Sequence, residues 1–393
     1  MNEEHQSQLL TRGISAIYPS KEFLSSKISR GEKLTIYLGI DPTGPTLHLG
    51  HAIAINKLAE FQKAGHKIIL LMGDFTAMIG DPTDKSATRK QLTHKEVLSN
   101  LKQASKLISF SGKNSAQFKF NSKWLGKMNF ADVLKLGSNM TVQQMLERDM
   151  FENRMKEGKP IYIHEFMYPL MQGYDSVAMD VDGEIGGNDQ TFNMLCGRDL
   201  MKTLKNKDKF VITVKLLEDN SGKKMGKTEG NMVALSDSAE DMYGKVMSWA
   251  DSLIVPGFEL CTSVSMNELE SIARDIASGV NPRDLKMRLA KQIAGIYHGE
   301  KKSQEAEEKF VKTFQKSEIP EDVPTIKAEA HELLVDVLLR NELVSSKTEF
   351  RRLVDEHAIT NLDTNAKVVD YTLRATPGVY RIGKKRFCKI INK

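Results

Sequence analysis

Cysteine is scarce in this chain of 393 residues. There are three, Cys196, Cys261 and Cys388, widely separated and with no CxxC pair. That argues against a disulfide framework or a cysteine zinc knuckle and fits a reducing compartment. No run of about 18 apolar residues occurs, so no membrane-spanning helix is expected. The opening MNEEHQSQLL has neither the basic start nor the apolar stretch of a signal peptide. A soluble, cytoplasmic protein is expected. Internal repeats and low-complexity tracts are missing too. What is present is ordinary globular material, 40% hydrophobic, long enough for two or three domains.

Charge of one sign is also modest, +5 overall, but it is unevenly placed. Residues 327–393 hold 13 Lys and Arg against 9 Asp and Glu, so most of the excess sits in the last sixth of the chain. A basic C-terminal unit on a near-neutral body suits a polyanionic partner.

Local patterns divide the chain further. LTIYLGI (34–40) and the nearly all-apolar KIILLMG (67–73) read as strands. Between them, AIAINKLAEFQKAG has helical spacing and a glycine stop. Strand, turn, helix and strand make a βαβ unit of a parallel sheet. FVITVKLL (210–217) reads as a later strand of that sheet. From about Ser236 the segments become helical, with Ser, Asn or Pro near their starts and Gly near their ends. SEIPEDVPT reads as a linker. The last unit, from Ala328, reads as two short helices followed by strands. The expected fold is therefore α/β. A Rossmann-like parallel-sheet catalytic domain (1–235) precedes a helical domain (236–318), a linker (319–327) and a small α+β domain (328–393).

Two loops carry candidate chemistry. DPTGPTLHLGH (41–51) follows a strand and opens a helix, where free N–H groups and the helix dipole favour phosphate. His48 and His51 lie one turn apart and can reach one ligand. A metal site would want a third ligand at suitable spacing, and none is evident nearby. SGKKMGKT (221–228) puts lysines between glycines. It fails as a P-loop, because Ser221 stands where the first glycine is required. Lysines on such a loop can close over phosphates, although alone it would read as a solvated charged turn. A third stretch, YPLMQGYD, sets Tyr168, Gln172 and Asp175 on one helical face, and Pro169 predicts a helix start close by. Among Phe166, Met167, Leu170 and Met171, that polar set reads as a pocket.

PTGPTLHLGH resembles the HIGH signature, and KMGKT the KMSKS signature, of the class I aminoacyl-tRNA synthetases. YLGIDPT, IGDPTDK, YPLMQGYD and GGNDQ extend the resemblance over essentially the whole chain. Within that class it is to the tyrosyl-tRNA synthetase family, in its bacterial subgroup with an RNA-binding tail. The departures are Leu in HLGH, Gly and Thr in KMGKT, and Thr191-Phe192 after GGNDQ. The resemblance implies two-step charging of tRNA(Tyr) with L-tyrosine and ATP, accompanied by Mg2+, by a homodimer. It implies that Tyr37 and Asp175 bond the substrate phenol. Asp81, Tyr168 and Gln172 would hold the ammonium, with Gln190 nearby. Gly39, Asp41, Gly50 and Asp189 would line the adenosine side. Thr43, His48 and His51 would stabilise phosphate charge, and Lys224, Lys227, Lys85 and Arg89 would close over pyrophosphate. Arg351, Arg352, Lys384, Lys385 and Arg386 would contact the RNA backbone, and the helical domain would meet the anticodon. A non-catalytic RNA-binding relative and a nucleotidyltransferase are the competing readings. Tryptophanyl-tRNA synthetase is the nearest alternative within the class.

Overall fold

The computed structural model describes residues 8–41, 46–81, 99, 102–104, 106–218, 232–314, 323–329, 331–364, 366–383 and 386–392. They form two compact units, Met1–Gly299 and Glu300–Lys393.

The first unit is built on a six-stranded sheet. Strand β1 (Ile14–Tyr18) leads into helix α1 (Lys21–Ser29), whose cap Ser20 accepts from the Phe23 amide at 3.2 Å. β2 (Thr35–Ile40), helix α2 (Leu49–Lys63) and β3 (Lys67–Met72) realise the expected βαβ unit. β3 has five buried residues after an exposed lysine. A strand between two others with helices over the sheet reads this way, apolar throughout rather than alternating. The short helix α3 (Thr76–Ile79) follows, then β4 (Gln117–Phe120) and α4 (Ser122–Leu125). Helices α5 (Phe130–Gly137), α6 (Val142–Leu146) and α7 (Asp149–Lys156) lead to the long α8 (Ile163–Met179). β5 (Gly183–Gly187), α9 (Thr191–Lys205) and β6 (Phe210–Val214) complete the sheet. Its order is β1-β6-β5-β2-β3-β4, parallel except for β1, which runs antiparallel to β6.

Pro169 corrects one expectation. α8 begins at Ile163, so the proline sits inside the helix rather than at its start. It removes the N–H that would reach the Glu165 carbonyl. Residues 162–164 are exposed and Glu165 is only half-buried, so solvent is at hand for that end of the helix.

Beyond β6 the first unit is helical, as expected: α10 (Ala239–Met247), α11 (Ile254–Cys261), α12 (Met266–Ala277) and α13 (Pro282–His298). Ser238 and Ser265 cap α10 and α12, while Asn281 caps α13 with Pro282 in its first turn. The N-terminal segment is tied to these helices by one guanidinium. Arg12 donates to the carbonyls of Glu259, Phe258 and Thr262 at 2.8–3.1 Å, satisfying the orphan end of α11.

The second unit starts with α14 (Glu300–Phe314) and holds β7 (Thr325–Ala328), α15 (Leu334–Arg340), α16 (Lys347–Asp355), β8 (Ile359–Asn361), β9 (Ala366–Lys367), β10 (Gly378–Ile382) and β11 (Arg386–Asn392). The sheet order is β7-β11-β10-β8-β9, with β7 parallel to β11. Phe350, Leu353 and Val354 of α16 and Leu334, Val337 and Leu338 of α15 pack on Tyr380, Ile382 and Ile390. β7 is only four residues long and follows a proline, too short to stand out by pattern.

Candidate active site

The chain leaves β2 for β3 on one side and returns to β5 on the other. Strand order therefore reverses between β2 and β5, and a crevice at their carboxyl ends is where an α/β sheet holds ligands. Gly39 is exposed there, Asp41 follows β2, and α2 starts a few residues on.

His48 is the cap residue of α2, and His51 stands in its first turn. His48 Nδ1 accepts from the Gly50 amide at 3.1 Å, and His51 Nδ1 accepts from the His48 amide at 3.3 Å. The rings lie 4.0 Å apart. Burial lowers His48 to about pKa 4; burial, and then His48, lowers His51 to about 3. Both rings are therefore neutral at physiological pH. With each Nδ1 spent as an acceptor, the proton resides on Nε2. The site offers two neutral N–H donors at a helix start, suited to charge that develops on a phosphate and not to binding a cation.

The sign for pH follows. An ordinary histidine, at 6.5, charges in the unfolded chain before these rings do. Their contribution to stability is complete above that value and is lost as pH falls toward about 4 and 3. We expect the wild-type to His48→Asn rate ratio for ATP–pyrophosphate exchange to stay constant from about pH 5.5 to about pH 8.5. A step near 6.5 in that ratio would show a histidine titrating in catalysis.

Residues 233–235 pack beside this histidine segment. Leu49 N–H donates to the Val233 carbonyl at 3.0 Å, and Leu235 N–H to the Leu47 carbonyl at 2.8 Å.

Asp41 turns toward the sheet. Its Oδ1 accepts from Thr76 Oγ1 and its Oδ2 from Tyr168 Oη, each at 2.7 Å. Gly73 makes the approach possible, since a Cβ there would lie 2.0 Å from Asp41 Oδ1. Thr76 continues to Asn121 Nδ2 at 3.0 Å, which also donates to Asp175 Oδ2 at 3.2 Å. Trp124 Nε1 donates to Asp175 Oδ1 at 2.7 Å. Burial pushes the Asp175 carboxyl well above its ordinary range. The Trp124 and Asn121 donors oppose that push, and the charges of Glu184 and Asp41 add to it. Tyr37, fully buried, places Oη 3.0 Å from Ser176 Oγ. Burial, and then the charges of Glu184 and Asp175, raise its phenol well above the usual value, so it stays protonated.

A second chain of bonds runs along the other wall. Arg148 pairs with Asp81 Oδ1 at 3.0 Å, both buried, and Gln190 Nε2 reaches Asp81 Oδ2 at 2.7 Å. Asn193 Nδ2 donates to Gln190 Oε1 at 2.9 Å and to Gln172 Oε1 at 3.0 Å. Tyr37, Asp41, Asp81, Tyr168, Gln172, Asp175 and Gln190 thus belong to two hydrogen-bonded networks. Asp189 lies exposed in the turn after β5. Thr76, Asn121, Trp124, Arg148 and Asn193 were not anticipated. Trp124, one of two tryptophans in the chain, beside a strand-end asparagine, was the one visible signal.

In the second unit, Arg351 and Arg352 are exposed on α16. Arg386 is committed differently: its guanidinium donates to Glu349 Oε1 at 2.9 Å and to the Leu343 carbonyl, fastening β11 to α16. Thr43, Lys85, Arg89, Lys224, Lys227, Lys384 and Lys385 lie outside the described residues.

Neutral donors at a helix start and two buried polar networks thus belong to the segments around the sheet's switch point. The comparisons name the class. The family described as tRNA synthetases class I (W and Y) matches residues 29–315, and the chain belongs to that family. The tyrosine–tRNA ligase of Carboxydothermus hydrogenoformans is 42% identical over 403 residues, spanning 99% of this chain and 98% of its own. The tyrosine–tRNA ligase of Thermotoga maritima is 42% identical over 397 residues, with the same shares. Among solved structures, the C-terminally truncated mitochondrial tyrosyl-tRNA synthetase of Aspergillus nidulans has a TM-score of 0.65 at 21% identity, covering 79% of this chain and 93% of its own. The Archaeoglobus fulgidus tyrosyl-tRNA synthetase complexed with L-tyrosine has a TM-score of 0.60 at 22% identity, covering 78% and 100%. The two structures share the fold.

Proposed function

We propose that this enzyme activates L-tyrosine with ATP and transfers the tyrosyl group to the 3′-terminal ribose of tRNA(Tyr). The observation that carries the choice of tyrosine is Asp175, buried at 3% exposure beside Tyr37 with both oxygens aligned by Trp124 and Asn121. A fixed acceptor beside a phenol hydroxyl can accept and donate to a substrate hydroxyl. An indole N–H would use the acceptor and leave the hydroxyl unpaired.

The substrate carboxylate attacks the α-phosphorus, the bond to the β-phosphate oxygen breaks, and pyrophosphate leaves. The ribose hydroxyl then attacks the acyl carbon and AMP leaves. No side chain need act as nucleophile. Positioning and charge stabilisation do the work. His48 and His51 donate from Nε2 to the phosphates, with Thr43. Lys224, Lys227, Lys85 and Arg89 close over the pyrophosphate. Asp81, Tyr168 and Gln172 hold the ammonium beside Gln190. Gly39, Asp41, Gly50 and Asp189 line the adenosine side. Magnesium enters on the ATP phosphates, as a hard cation that keeps much of its water. The helical stretch expected over 236–318 meets the anticodon. Arg351, Arg352, Lys384, Lys385 and Arg386 contact RNA backbone, and Arg386 also fastens β11 to α16. No helix among the described residues is long and apolar enough to cross a membrane, and a cytoplasmic location suits the substrates. Charging of a tRNA(Tyr) transcript with radiolabelled tyrosine tests the whole reading. Failure with tRNA(Tyr) and charging of tRNA(Trp) with tryptophan would overturn it.

The enzyme acts as a homodimer. Support comes from apolar side chains left in solvent between β4 and β5: Phe130 (77% exposed), Leu134 (60%), Val142 (60%), Tyr162 (57%) and Ile163 (84%). Scattered exposed apolar residues are ordinary; this many in one connecting segment suit a second copy of the chain. Phe130→Glu with Ile163→Asp is expected to convert the dimer to a monomer in analytical ultracentrifugation. A dimer of unchanged affinity would place the interface elsewhere.

A further inference from the structure

Beneath the pocket lies a charged pair to which the reaction has so far assigned no task. Lys209, one residue before β6, is 0% exposed, and Glu184 of β5 is 1% exposed. The two form an ion pair. Removing two charges from water costs several kcal/mol each, and replacing such a pair by well-packed apolar groups is often neutral or stabilising. Stability is therefore a poor explanation for its presence.

Its other contacts are more telling. A carboxylate only accepts, so Glu184 Oε1, 3.1 Å from Gln172 Nε2, turns the Gln172 amide nitrogen toward itself. The Gln172 carbonyl oxygen then faces Asn193 Nδ2 and keeps a lone pair for a cationic ligand. An ammonium only donates. Lys209 Nζ donates to Ser176 Oγ at 2.8 Å and to the Met194 carbonyl at 3.3 Å. The cation draws the oxygen end of the serine hydroxyl and turns its proton away, toward Tyr37 Oη at 3.0 Å. Tyr37 then has its own proton to give. Within the chain that proton faces the Gln172 main-chain carbonyl at 3.5 Å, a long bond, and the Glu184 carboxylate that Lys209 already engages, and a ligand oxygen can take their place. Lys209 also lies 5.6 Å from the Tyr37 ring centroid. Gly197 leaves it room, since a Cβ there would be 2.7 Å from Nζ.

We propose that Lys209 is a positioning residue that sets the hydrogen-bond polarity of both ends of the amino-acid pocket, through Glu184 to Gln172 and through Ser176 to Tyr37. This rests on the proposed tyrosine activation. The Gln172 end would present a carbonyl to the substrate ammonium, and the Tyr37 end a proton to the phenol oxygen, leaving the substrate proton for Asp175.

The test uses two variants of the full chain. Lys209→Met with Glu184→Gln removes both charges at similar length and strands neither. It also gives residue 184 donors, so the Gln172 amide can turn over. Ser176→Ala cuts only the link to Tyr37, and carries the test by itself if the double variant does not fold. ATP–pyrophosphate exchange is measured with tyrosine and with phenylalanine. The double variant is expected to raise KM for tyrosine about tenfold or more, with KM for ATP and kcat nearly unchanged, and to lower the preference for tyrosine over phenylalanine. Ser176→Ala should raise KM for tyrosine several-fold and leave that for phenylalanine unchanged. Wild-type values for tyrosine in both variants, whatever their melting temperatures, would overturn the proposal. Absence of tyrosine-dependent exchange in the wild-type protein would instead overturn the function on which it rests.

Discussion

Asp175→Asn should lower kcat/KM for tyrosine-dependent exchange by about 100-fold or more while leaving KM for ATP in place. The carboxylate accepts from Trp124 on one oxygen and from Asn121 on the other. An asparagine keeps one acceptor and must aim an N–H2 at a donor, so one buried donor loses its partner. Breaking a buried charged arrangement at one member costs about 3–5 kcal/mol, and part of that cost falls on the bound state, where the substrate hydroxyl also loses its acceptor. Circular dichroism should show the variant folded, because Leu170 and Val177 of the same helix stay packed on Leu200 and Met201. A variant that bound tyrosine with wild-type affinity would mean the substrate hydroxyl lies elsewhere.

His48→Ala and His51→Ala should each lower kcat for exchange by about 100- to 1000-fold, as expected for one donor aimed at developing charge in a water-poor site. KM for tyrosine should hardly move, since neither ring belongs to the amino-acid networks. The two losses should not multiply fully. His51 Nδ1 accepts from the His48 amide, so each replacement also loosens the start of the helix that presents the other. Single-turnover rates of adenylate formation measure this directly. A rise in KM for tyrosine with unchanged kcat would move the histidines from the phosphates to amino-acid binding.

The contrast between these sites explains what could be read in the sequence. The sheet was legible because LTIYLGI and KIILLMG are apolar runs bounded by glycine, and because two motifs sat at the ends of strands. Tyr168, Gln172 and Asp175 were legible because helical spacing put three polar groups on one face among apolar neighbours. The residues that aim them were not. Trp124, Asn121 and Thr76 come from separate segments and meet Asp175 and Asp41 only through the closing of β3 and β4. Lys209 and Glu184 look like ordinary strand-edge charges until β5 and β6 pair and bury them. The start of the helix containing Pro169 is illegible locally, because a proline inside a helix is tolerated here only where the turn before it lies at the surface. The bond from Arg386 to Glu349 is illegible for a similar reason, since the two lie 37 residues apart.

The most direct test of the central claim is ATP–pyrophosphate exchange by the wild-type protein, without tRNA, using tyrosine, phenylalanine and tryptophan in turn. Exchange with tyrosine alone is the predicted result, and it would report both the adenylate step and the phenol-selecting pocket. Exchange with tryptophan would contradict the assignment of Tyr37 and Asp175 while leaving the class intact. Folded protein that exchanged with none of the three would contradict amino-acid activation itself.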